Sequence, residues 1–288
     1  MDDRTEARGF LRSRRARIAP EQVNLVGGRS RRVPGLRRDE VALLAGVSVD
    51  YYAQLERGDL GGASEEVLQA IARALRLDDA ETAHLFDLAR AAQPSAARRR
   101  SPNPGAKAVR PNLQRFVDAV DAPVWIRNDR MDFLATNRLG RALFSPIFAL
   151  GDRPANNARF VFLHEVESRD FYVDWEQKAR DIVATLRGYA GQRPQDRGLR
   201  DLIGELATNS RVFSELWAKH DVRFHHAGAK RIHHPVVGDL ELSYEAFDLS
   251  SDPGWHMFAY AAEPGSASDE RLSLLASWAA TTEQETQA

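Results

Sequence analysis

LRRDEVALLAGVSVDYYAQLERG, from Leu36 to Gly58, carries the most informative pattern in the chain. Its apolar residues follow helical spacing up to Gly46 and resume it from Val47, which predicts two short helices joined by a turn rather than one continuous helix. Two helices joined in this way form a helix-turn-helix, and the second helix of that motif lies in the major groove of DNA. The residues expected to face inward are Val41, Leu44, Ala45, Val47, Tyr52 and Leu55.

The start of the second helix carries side chains that suit contacts with base edges. Ser48 is placed to cap this helix by accepting a hydrogen bond from a first-turn backbone N–H. Val49 fits a thymine methyl group, Asp50 can accept from a cytosine amino group, and Gln54 can bond the edge of an adenine. Solvent exposure is the alternative for each of these residues, and for Asp50 a favourable interaction with the positive helix end is equally consistent.

Basic residues next to this motif suit the phosphate backbone. Arg37 and Arg38 precede the first helix of the pair, and the hydroxyl of Tyr51 can reach a phosphate from the second helix. The segment before them is long and irregular, because it contains Gly27-Gly28 and Pro34-Gly35. We interpret it as an arm for phosphates or the minor groove, with a solvated loop as the alternative. The arginines of this arm are Arg29, Arg31 and Arg32.

Length and charge favour two domains with different partners. The chain has 288 residues, of which 43% are hydrophobic and none is cysteine; this excludes a disulfide framework and a thiolate zinc site and fits a reducing cytoplasm. Residues 1–110 carry 20 Lys and Arg against 15 Asp and Glu, whereas residues 111–288 carry 20 against 26. The basic excess lies beside the helix-turn-helix, where DNA favours it. No apolar run suits a signal peptide or a membrane span, so we expect a cytoplasmic protein without a membrane partner.

Three further helices complete the N-terminal domain. Residues 5–17 have helical spacing with Phe10 inward, Ser64 opens a later helix, and Asp78 with Glu81 forms a capping box that opens the fifth. We predict an all-α, five-helix, lambda-repressor-like helix-turn-helix domain. Its bounds are residues 5–92, followed by a proline-rich linker at residues 93–111 and a second domain at residues 112–281. The arginines placed on the solvent side of the first helix are Arg8, Arg12, Arg14, Arg15 and Arg17.

The C-terminal half shows strand and helix patterns in an α+β order. A hairpin is predicted at residues 124–127 and 131–136. A short helix is expected from Leu113, Phe116, Val117 and Val120. The other expected helices cover residues 138–144, 175–189, 199–207, 212–219 and 269–279, and the later strands cover residues 222–226, 230–234, 241–249 and 255–263. This order predicts an antiparallel sheet with helices packed on one face.

Several segments resemble one family of regulators. GFLRSRRARIAP and VPGLRRDEVALLAGVSVDYYAQLERG, together with the five-helix closure, resemble the Xre/Cro-like regulators and more closely their MmyB-like branch. DVRFHHAGAKRIHHPVVGDLELSYEAFDL and AYAAEPGSASDERLSLLASW are similar to the C-terminal sensor domain of that branch. The resemblance covers nearly the whole chain. It implies a PAS-like ligand-binding domain, a homodimer, and a fatty acid or similar apolar small molecule as the effector.

Large apolar side chains are frequent in the C-terminal half and by default fill its core. A sheet wrapped by helices can also leave an apolar cavity, in which one cationic or hydroxyl group anchors a carboxylate. A surface arginine or a core histidine is the alternative for each anchor candidate. The histidine pairs at residues 225–226 and 233–234 make a poor metal site, so we expect no metal and no cofactor besides a possible fatty-acid effector. The anchor candidates are Arg180, His220, His234 and Tyr244, and the candidate apolar ligand contacts are Trp175 and Trp217.

These observations predict a one-component transcription regulator that is not an enzyme. A dimer would present two recognition helices to the half-sites of a dyad-symmetric double-stranded DNA operator, and an apolar effector would shift its affinity. One alternative is an enzyme acting on an acyl substrate, with acid and base groups from His164, Glu165 and Asp221. The sequence lacks GxSxG, HExxH, Walker and GxGxxG motifs. The other alternative is a DNA-binding protein whose C-terminal half is a ligand-free protein-interaction domain.

Overall fold

The computed structural model describes residues 3–25, 35–93, 108–152, 154–222 and 227–287. By its internal contacts the chain divides into two compact units. The first unit comprises Met1–Ser101, Val183–Arg200 and Glu215–Phe224, and the second comprises Pro102–Ile182, Asp201–Ser214 and His225–Ala288. The first unit therefore contains the N-terminal helices together with two segments from the later part of the chain.

The N-terminal part of the first unit is helical, as predicted. Its α-helices are α1 (Asp3–Arg17), α2 (Arg38–Ala45), α3 (Val49–Glu56), α4 (Glu65–Ala74) and α5 (Asp79–Ala91), and a short 3-10 helix covers Pro20–Val23. The predicted caps of α4 and α5 are confirmed. Ser64 Oγ accepts from the Val67 N–H at 3.3 Å, and Asp78 and Glu81 exchange backbone-to-side-chain bonds of 2.8 and 3.2 Å.

The core of this unit differs from the predicted pattern at two places. Leu44 is 38% exposed and Ala42 is 1% exposed, so the inward side of α2 is Val41, Ala42 and Ala45 rather than Val41, Leu44 and Ala45. Arg14, which the sequence places on the solvent side of α1, is 2% exposed because Glu81 of α5 pairs with it at 2.8 Å. Tyr52 and Leu55 of α3 are buried as predicted.

The second unit is built on one antiparallel sheet. Its strands are β1 (Val124–Asn128), β2 (Phe133–Thr136), β3 (Ala227–His234), β4 (Gly238–Asp248) and β5 (Trp255–Ala261), in the order β2-β1-β5-β4-β3. The hairpin and the last strands are confirmed. The prediction of a strand at residues 222–226 is wrong at Val222, which is not in a strand, and residues 223–226 lie outside the described ranges.

The remaining helices lie before, between and after these strands. They are α6 (Pro111–Asp118), α7 (Arg138–Leu143), α8 (Ser145–Ala149), α9 (Asn157–Leu163), α10 (Glu165–Phe171), α11 (Trp175–Gln192), α12 (Arg197–Asn209), α13 (Arg211–Trp217) and α14 (Ala267–Gln287). Helices α8, α9 and α10 were not predicted. Helix α11 contributes to both units, because the division falls between Ile182 and Val183. No helix in the described ranges is long and apolar enough to cross a bilayer.

Aromatic side chains form much of the core of the second unit. The Trp125 ring stacks on Phe133 with 4.0 Å between centroids, and it contacts Phe258 at 5.1 Å and Phe144 at 5.3 Å. All four side chains are at most 7% exposed. The default interpretation of the aromatic residues as core is therefore correct for this group, which packs together inside the unit.

Candidate DNA-binding and ligand-binding sites

A left-handed glycine separates the two helices of the helix-turn-helix. Gly46 has φ +67°, and its N–H donates to Leu43 O at 3.2 Å, which ends α2. The Val47 N–H then donates to Ala42 O at 3.0 Å. Ser48 Oγ accepts from the Tyr51 N–H at 3.1 Å, so the predicted cap of α3 is confirmed. The turn therefore fixes where α3 begins.

The outward side of α3 carries the residues predicted to read bases. Val49 is 46% exposed, and Asp50 and Gln54 are also exposed. Tyr51 is half-buried and packs against the core. Gln54 Nε2 donates to Asp59 Oδ2 at 2.9 Å, so in the structure its amide is held by a neighbouring carboxylate. Val49, Asp50 and Gln54 thus present one accessible face.

The two arginines at the N-terminus of α2 have different surroundings. Arg37 is exposed at the N-terminal cap of α2, with its side chain making no capping bond. Arg38 Nε instead donates to Glu56 Oε2 at 2.5 Å, and Arg15 Nε donates to the other oxygen of that carboxylate at 2.5 Å. Glu56 is 1% exposed. Burial would raise its pKa, but the two arginine bonds outweigh burial and lower it.

This carboxylate joins three helices, because Arg15 lies on α1, Arg38 on α2 and Glu56 on α3. Arg15 Nη1 also donates to Leu36 O at 2.7 Å, which fixes the chain just before α2. The predicted arm residues Arg29, Arg31 and Arg32 lie outside the described residues.

The predicted ligand anchors of the second unit lie in different environments. Arg180 is exposed, and its guanidinium donates to Gln177 at 3.0 Å. Trp175 is buried, with Nε1 donating to Ser168 Oγ at 2.8 Å. His234 is fully buried, and Tyr244 is half-buried beside Lys230. The structure therefore brings Tyr244 to a cationic group but leaves Arg180 on the surface.

Two lysines that the sequence did not single out meet inside the second unit. Lys178 of α11 and Lys230 of β3 are half-buried, and each lysine is near enough to shift the pKa of the other. Lys230 Nζ donates to the Tyr260 hydroxyl at 3.1 Å, and it lies 4.9 Å from the Tyr244 ring centroid. Lys178 Nζ lies 5.3 Å from the Tyr172 ring centroid. We call Lys178, Lys230 and Tyr260 the lysine cluster.

The charges around the lysine cluster are positive in sum. Burial and the neighbouring lysine lower the pKa of Lys178 well below its ordinary value, and burial lowers the pKa of Lys230 to about 8. Arg127 adds a positive charge, and Asp181 is the one carboxylate among the described groups that act on both lysines. Tyr260 is 1% exposed, and its hydroxyl also accepts from Trp125 Nε1 at 3.1 Å. A buried positive excess of this kind suits an anionic group.

The sequence contained a signal for this cluster. Lys230, Ile232 and His234 alternate along β3, so they share the inward side of the strand. Lys178 stands three residues after Trp175 and four before Ile182 on α11, which places it on the helix face of these buried residues. A lysine on an otherwise buried face is the pattern that marks such a site.

His220, a further anchor candidate, and Trp217, a candidate apolar ligand contact, lie in the first unit. Arg187 of α11 is fully buried, its Nη1 pairs with the Glu6 carboxylate of α1, and its Nη2 donates to Trp217 O. Its guanidinium stands 4.0 Å from the Trp217 ring centroid, and His220 Nδ1 lies 3.1 Å from Nη1. Burial would raise the pKa of Glu6, but the bonds from His220 and Arg187 lower it to about 2. We call Glu6, Arg187 and His220 the buried junction.

Comparison with known families finds two matching profiles, one in the N-terminal part of the chain and one in the C-terminal part. A profile described as "Helix-turn-helix domain" matches residues 7–85. A profile described as "MmyB-like transcription regulator ligand binding domain" matches residues 109–275, which is more than half of the chain. The chain belongs to the MmyB-like transcription regulator family. A search among curated proteins found no match.

The ligand-binding profile of this MmyB-like regulator covers the lysine cluster and two of the three residues of the buried junction. The profile over residues 109–275 includes Lys178, Arg187, His220 and Lys230. Thus Arg187 and His220 belong to the ligand-binding sequence, although they lie in the compact unit that holds the helix-turn-helix. Within the described residues of this MmyB-like regulator, no three His, Cys, Asp or Glu side chains are grouped so as to hold a metal ion.

Proposed function

We propose that this MmyB-like regulator binds a dyad-symmetric operator as a homodimer. In this proposal an apolar molecule with an anionic head, of the fatty-acid type, changes its operator affinity. The observation that carries the DNA part is the exposed face of Val49, Asp50 and Gln54 on a capped α3, with Arg37 exposed at the start of α2. A dimer is part of the proposal because one recognition helix contacts only a half-site, and two-fold operators match two-fold proteins.

The ligand part of the proposal rests on the lysine cluster. A carboxylate placed between Lys178 and Lys230 would neutralise the positive excess that Asp181 leaves. The Tyr260 hydroxyl accepts from Lys230 and Trp125, so its own proton is available to donate to the same carboxylate. The aromatic group of Trp125, Phe144 and Phe258 is beside this cluster and suits an apolar chain. We therefore propose Lys178 and Lys230, in place of the exposed Arg180, as the groups that bind the ligand carboxylate. We propose that this domain is PAS-like, with helices inserted between β2 and β3 of one antiparallel sheet.

The contacts of Ser145 and His234 argue against the enzyme alternative at the place where they resemble a catalytic pair. Ser145 Oγ lies 3.4 Å from His234 Nε2, which resembles a nucleophile and its base. However, His234 Nδ1 accepts from the Val236 N–H at 3.2 Å, so the ring proton lies on Nε2 and faces Ala142 O at 3.0 Å. Burial also lowers the pKa of His234. An Nε2 that already carries a proton has no lone pair with which to accept one from Ser145.

The test uses the full-length protein and DNA selected from a randomised duplex library. Fluorescence anisotropy measures the affinity for the selected duplex with and without straight-chain fatty acids of increasing length, and sedimentation measures how many chains bind one duplex. We expect two chains per duplex and an affinity that changes with the acid but not with the alcohol of the same length. No sequence selection, or an affinity indifferent to every acid, contradicts the proposal.

Lysine variants link the ligand to the cluster. In Lys178→Met and Lys230→Met, binding of the acid measured by calorimetry is expected to weaken roughly tenfold or more, because a buried charge-assisted bond contributes about 1.5–3 kcal/mol. Lys219→Met removes an exposed lysine and serves as the matched control. Equal acid affinity in all three variants contradicts the assignment of the anchor. Native mass spectrometry of the purified protein distinguishes a ligand-free interaction domain, which would carry no bound acid.

A further inference from the structure

We propose that the buried junction couples the ligand site to the helix-turn-helix, with Arg187 of α11 acting on α1 through the Glu6 carboxylate. This inference rests on the proposed function, since it names the contact by which an effector would change DNA affinity. It concerns one continuous helix, α11, and contacts inside the first unit. Glu6, Arg187 and His220 are therefore assigned a regulatory role rather than a ligand-binding one.

Helix α11 carries residues of both sites. Lys178 of the lysine cluster and Arg187 of the buried junction are nine residues apart on this helix of 18 residues. At about 1.5 Å per residue, roughly 14 Å of helix separates them. Because an α-helix resists changes in length, a displacement or rotation of α11 at Lys178 moves Arg187 as well. An anion drawn between Lys178 and Lys230 is the kind of event that displaces α11.

The bond between Arg187 and Glu6 is strong enough to transmit such a movement. Arg187 is 0% exposed, and Glu6 is 8% exposed, so neither charge can exchange its partner for water. Separating two buried charges leaves each without compensation, which costs several kcal/mol. Helix α1 must therefore follow Arg187, or the bond must be replaced by another arrangement. Because Arg15 of α1 is bonded to Glu56 of α3, α1 is in turn tied to the recognition helix.

Two glycines allow close packing around the buried junction. A Cβ added to Gly9 of α1 would lie 2.2 Å from the His220 ring, and a Cβ added to Gly191 of α11 would lie 2.6 Å from the His84 ring. These positions bring α1 and α11 close to the two histidines. His84 lies on α5, so α11 contacts both α1 and α5 in this unit. Close packing of this kind passes on displacements instead of absorbing them.

Several buried polar atoms in and beside the buried junction lack hydrogen-bond partners among the described residues. Glu6 Oε2, Arg187 Nε and both ring nitrogens of His84 are buried without a hydrogen-bond partner. His220 adopts a left-handed backbone at φ +56°, which costs a non-glycine residue about 1 kcal/mol. Each unsatisfied buried group costs free energy, so a second arrangement that keeps the Glu6–Arg187 pair and bonds these groups better would be favoured. Further charged groups act on the junction: Arg14, whose Nη2 donates to His220 O, and Asp221, which acts electrostatically on Arg187. Arg14 pairs in turn with Glu81, and Arg17 pairs with Asp221.

The test compares the coupling ratio, which is the operator dissociation constant with a saturating fatty acid divided by the constant without it. Couplings between sites are typically 5- to 150-fold. In Glu6→Gln we expect acid affinity close to that of the wild type, operator affinity in the absence of acid within about threefold, and a coupling ratio reduced toward one. Glu66→Gln, on the exposed first turn of α4, is the matched control and retains the wild-type ratio. A folded Glu6→Gln protein with the wild-type ratio overturns the inference.

A measurement on the wild type keeps the test decisive if Glu6→Gln does not fold. Hydrogen exchange is followed with and without the acid, and we expect changed protection in α1 and in residues 183–192 of α11. Unchanged protection of α1 in a protein whose operator affinity does respond to the acid overturns the coupling role alone. A wild-type coupling ratio of one overturns the proposed function itself, so the two failures are distinguishable.

Discussion

The Arg38 guanidinium donates to the buried Glu56 carboxylate across the two helices of the helix-turn-helix at 2.5 Å. The same arginine is expected to contact a DNA phosphate, so one side chain connects the internal geometry of the motif to its electrostatic surface. Arg37, one residue earlier, is exposed and has no such bond to Glu56. Comparison of Arg37 with Arg38 can therefore distinguish the contribution of a phosphate contact from that of the bond to Glu56.

Replacing these arginines one at a time tests that distinction. We expect Arg37→Ala and Arg38→Ala each to weaken binding to all duplexes and to reduce the slope of log affinity against log salt by about 0.9, because one phosphate contact is lost. Arg38→Ala should also lower the free energy of unfolding by roughly 1 kcal/mol, whereas Arg37→Ala should not. Salt titrations and urea unfolding measure the two effects. An unchanged salt slope in both variants would count against the phosphate assignment.

Gln54 offers a test of base reading. We expect Gln54→Ala to relax the preference for one base pair of the selected operator by about 1–3 kcal/mol, since a bidentate contact to adenine is lost. Binding to unselected DNA should stay unchanged, because Gln54 carries no charge. Anisotropy on single-base operator variants measures this preference. Gln69→Ala on α4 is the control, being an exposed glutamine away from α3. A preference retained in Gln54→Ala would remove Gln54 from the reading face.

The turn between α2 and α3 depends on backbone freedom at one position. Gly46 has φ +67° and no atom near the place of a Cβ, so Gly46→Ala meets no clash but must hold a left-handed backbone. We expect it to lower the free energy of unfolding by about 1 kcal/mol. Gly62 has equal space and no left-handed φ, and Gly62→Ala should therefore leave stability unchanged or slightly higher. Equal effects of the two substitutions in urea unfolding would contradict this explanation.

His84 predicts a pH dependence of stability. Burial lowers the pKa of His84 from 6.5 to about 4. Between pH 6.5 and pH 4 this histidine is therefore protonated in the unfolded chain but neutral in the folded protein. The stabilising contribution is fully present above pH 6.5 and is lost as the pH falls toward 4. Between pH 7 and pH 5 we expect a loss of about 2 kcal/mol. The loss should shrink in His84→Gln, measured by urea unfolding at both pH values. An equal loss in the variant would show that other groups cause it.

The lysine cluster predicts a pH dependence of ligand binding. Burial lowers the pKa of Lys230 to about 8, so this group is mostly charged at pH 7 and becomes neutral as the pH rises above 8. An anion favours the protonated form, so acid binding should take up protons and weaken as the pH rises through about 8. Calorimetry in buffers of different ionisation enthalpy measures this proton uptake. Lys230→Met should remove the proton uptake that is centred near pH 8, whereas uptake near pH 8 that persists in that variant would exclude Lys230 as its source.

Much of the N-terminal fold could be predicted because its signals are local. Ser48, Ser64 and Asp78 each cap a helix from within three residues, and Gly46 ends one within its own turn. Leu44 was misplaced because Ala42 and Leu44 both fit a helical spacing, and the choice between them depends on which side meets α4. The periodicity of a short helix cannot decide that.

The candidate sites were harder to predict because their residues are distant in the sequence. Arg14 is buried through Glu81 of α5, and Arg187 is buried through Glu6 of α1. An arginine looks like a surface residue until its partner is known. Lys178 and Lys230 lie on different elements that only the folded sheet and helix bring together. Their positions on buried faces could be predicted from the sequence, but their contact could not.

The place of β5 in the sheet affects how the protein is made. This strand, Trp255–Ala261, pairs with β1 on one side and β4 on the other. Before the ribosome has added it, β1–β2 and β3–β4 are separate two-stranded pieces, and such pieces are only marginally stable in water. A nascent chain therefore has its helix-turn-helix sequence long before it has a closed sheet. Chains cut short before Trp255 lose the strand that joins the two halves, so we expect the sheet of the second unit to form only after β5 has been synthesised.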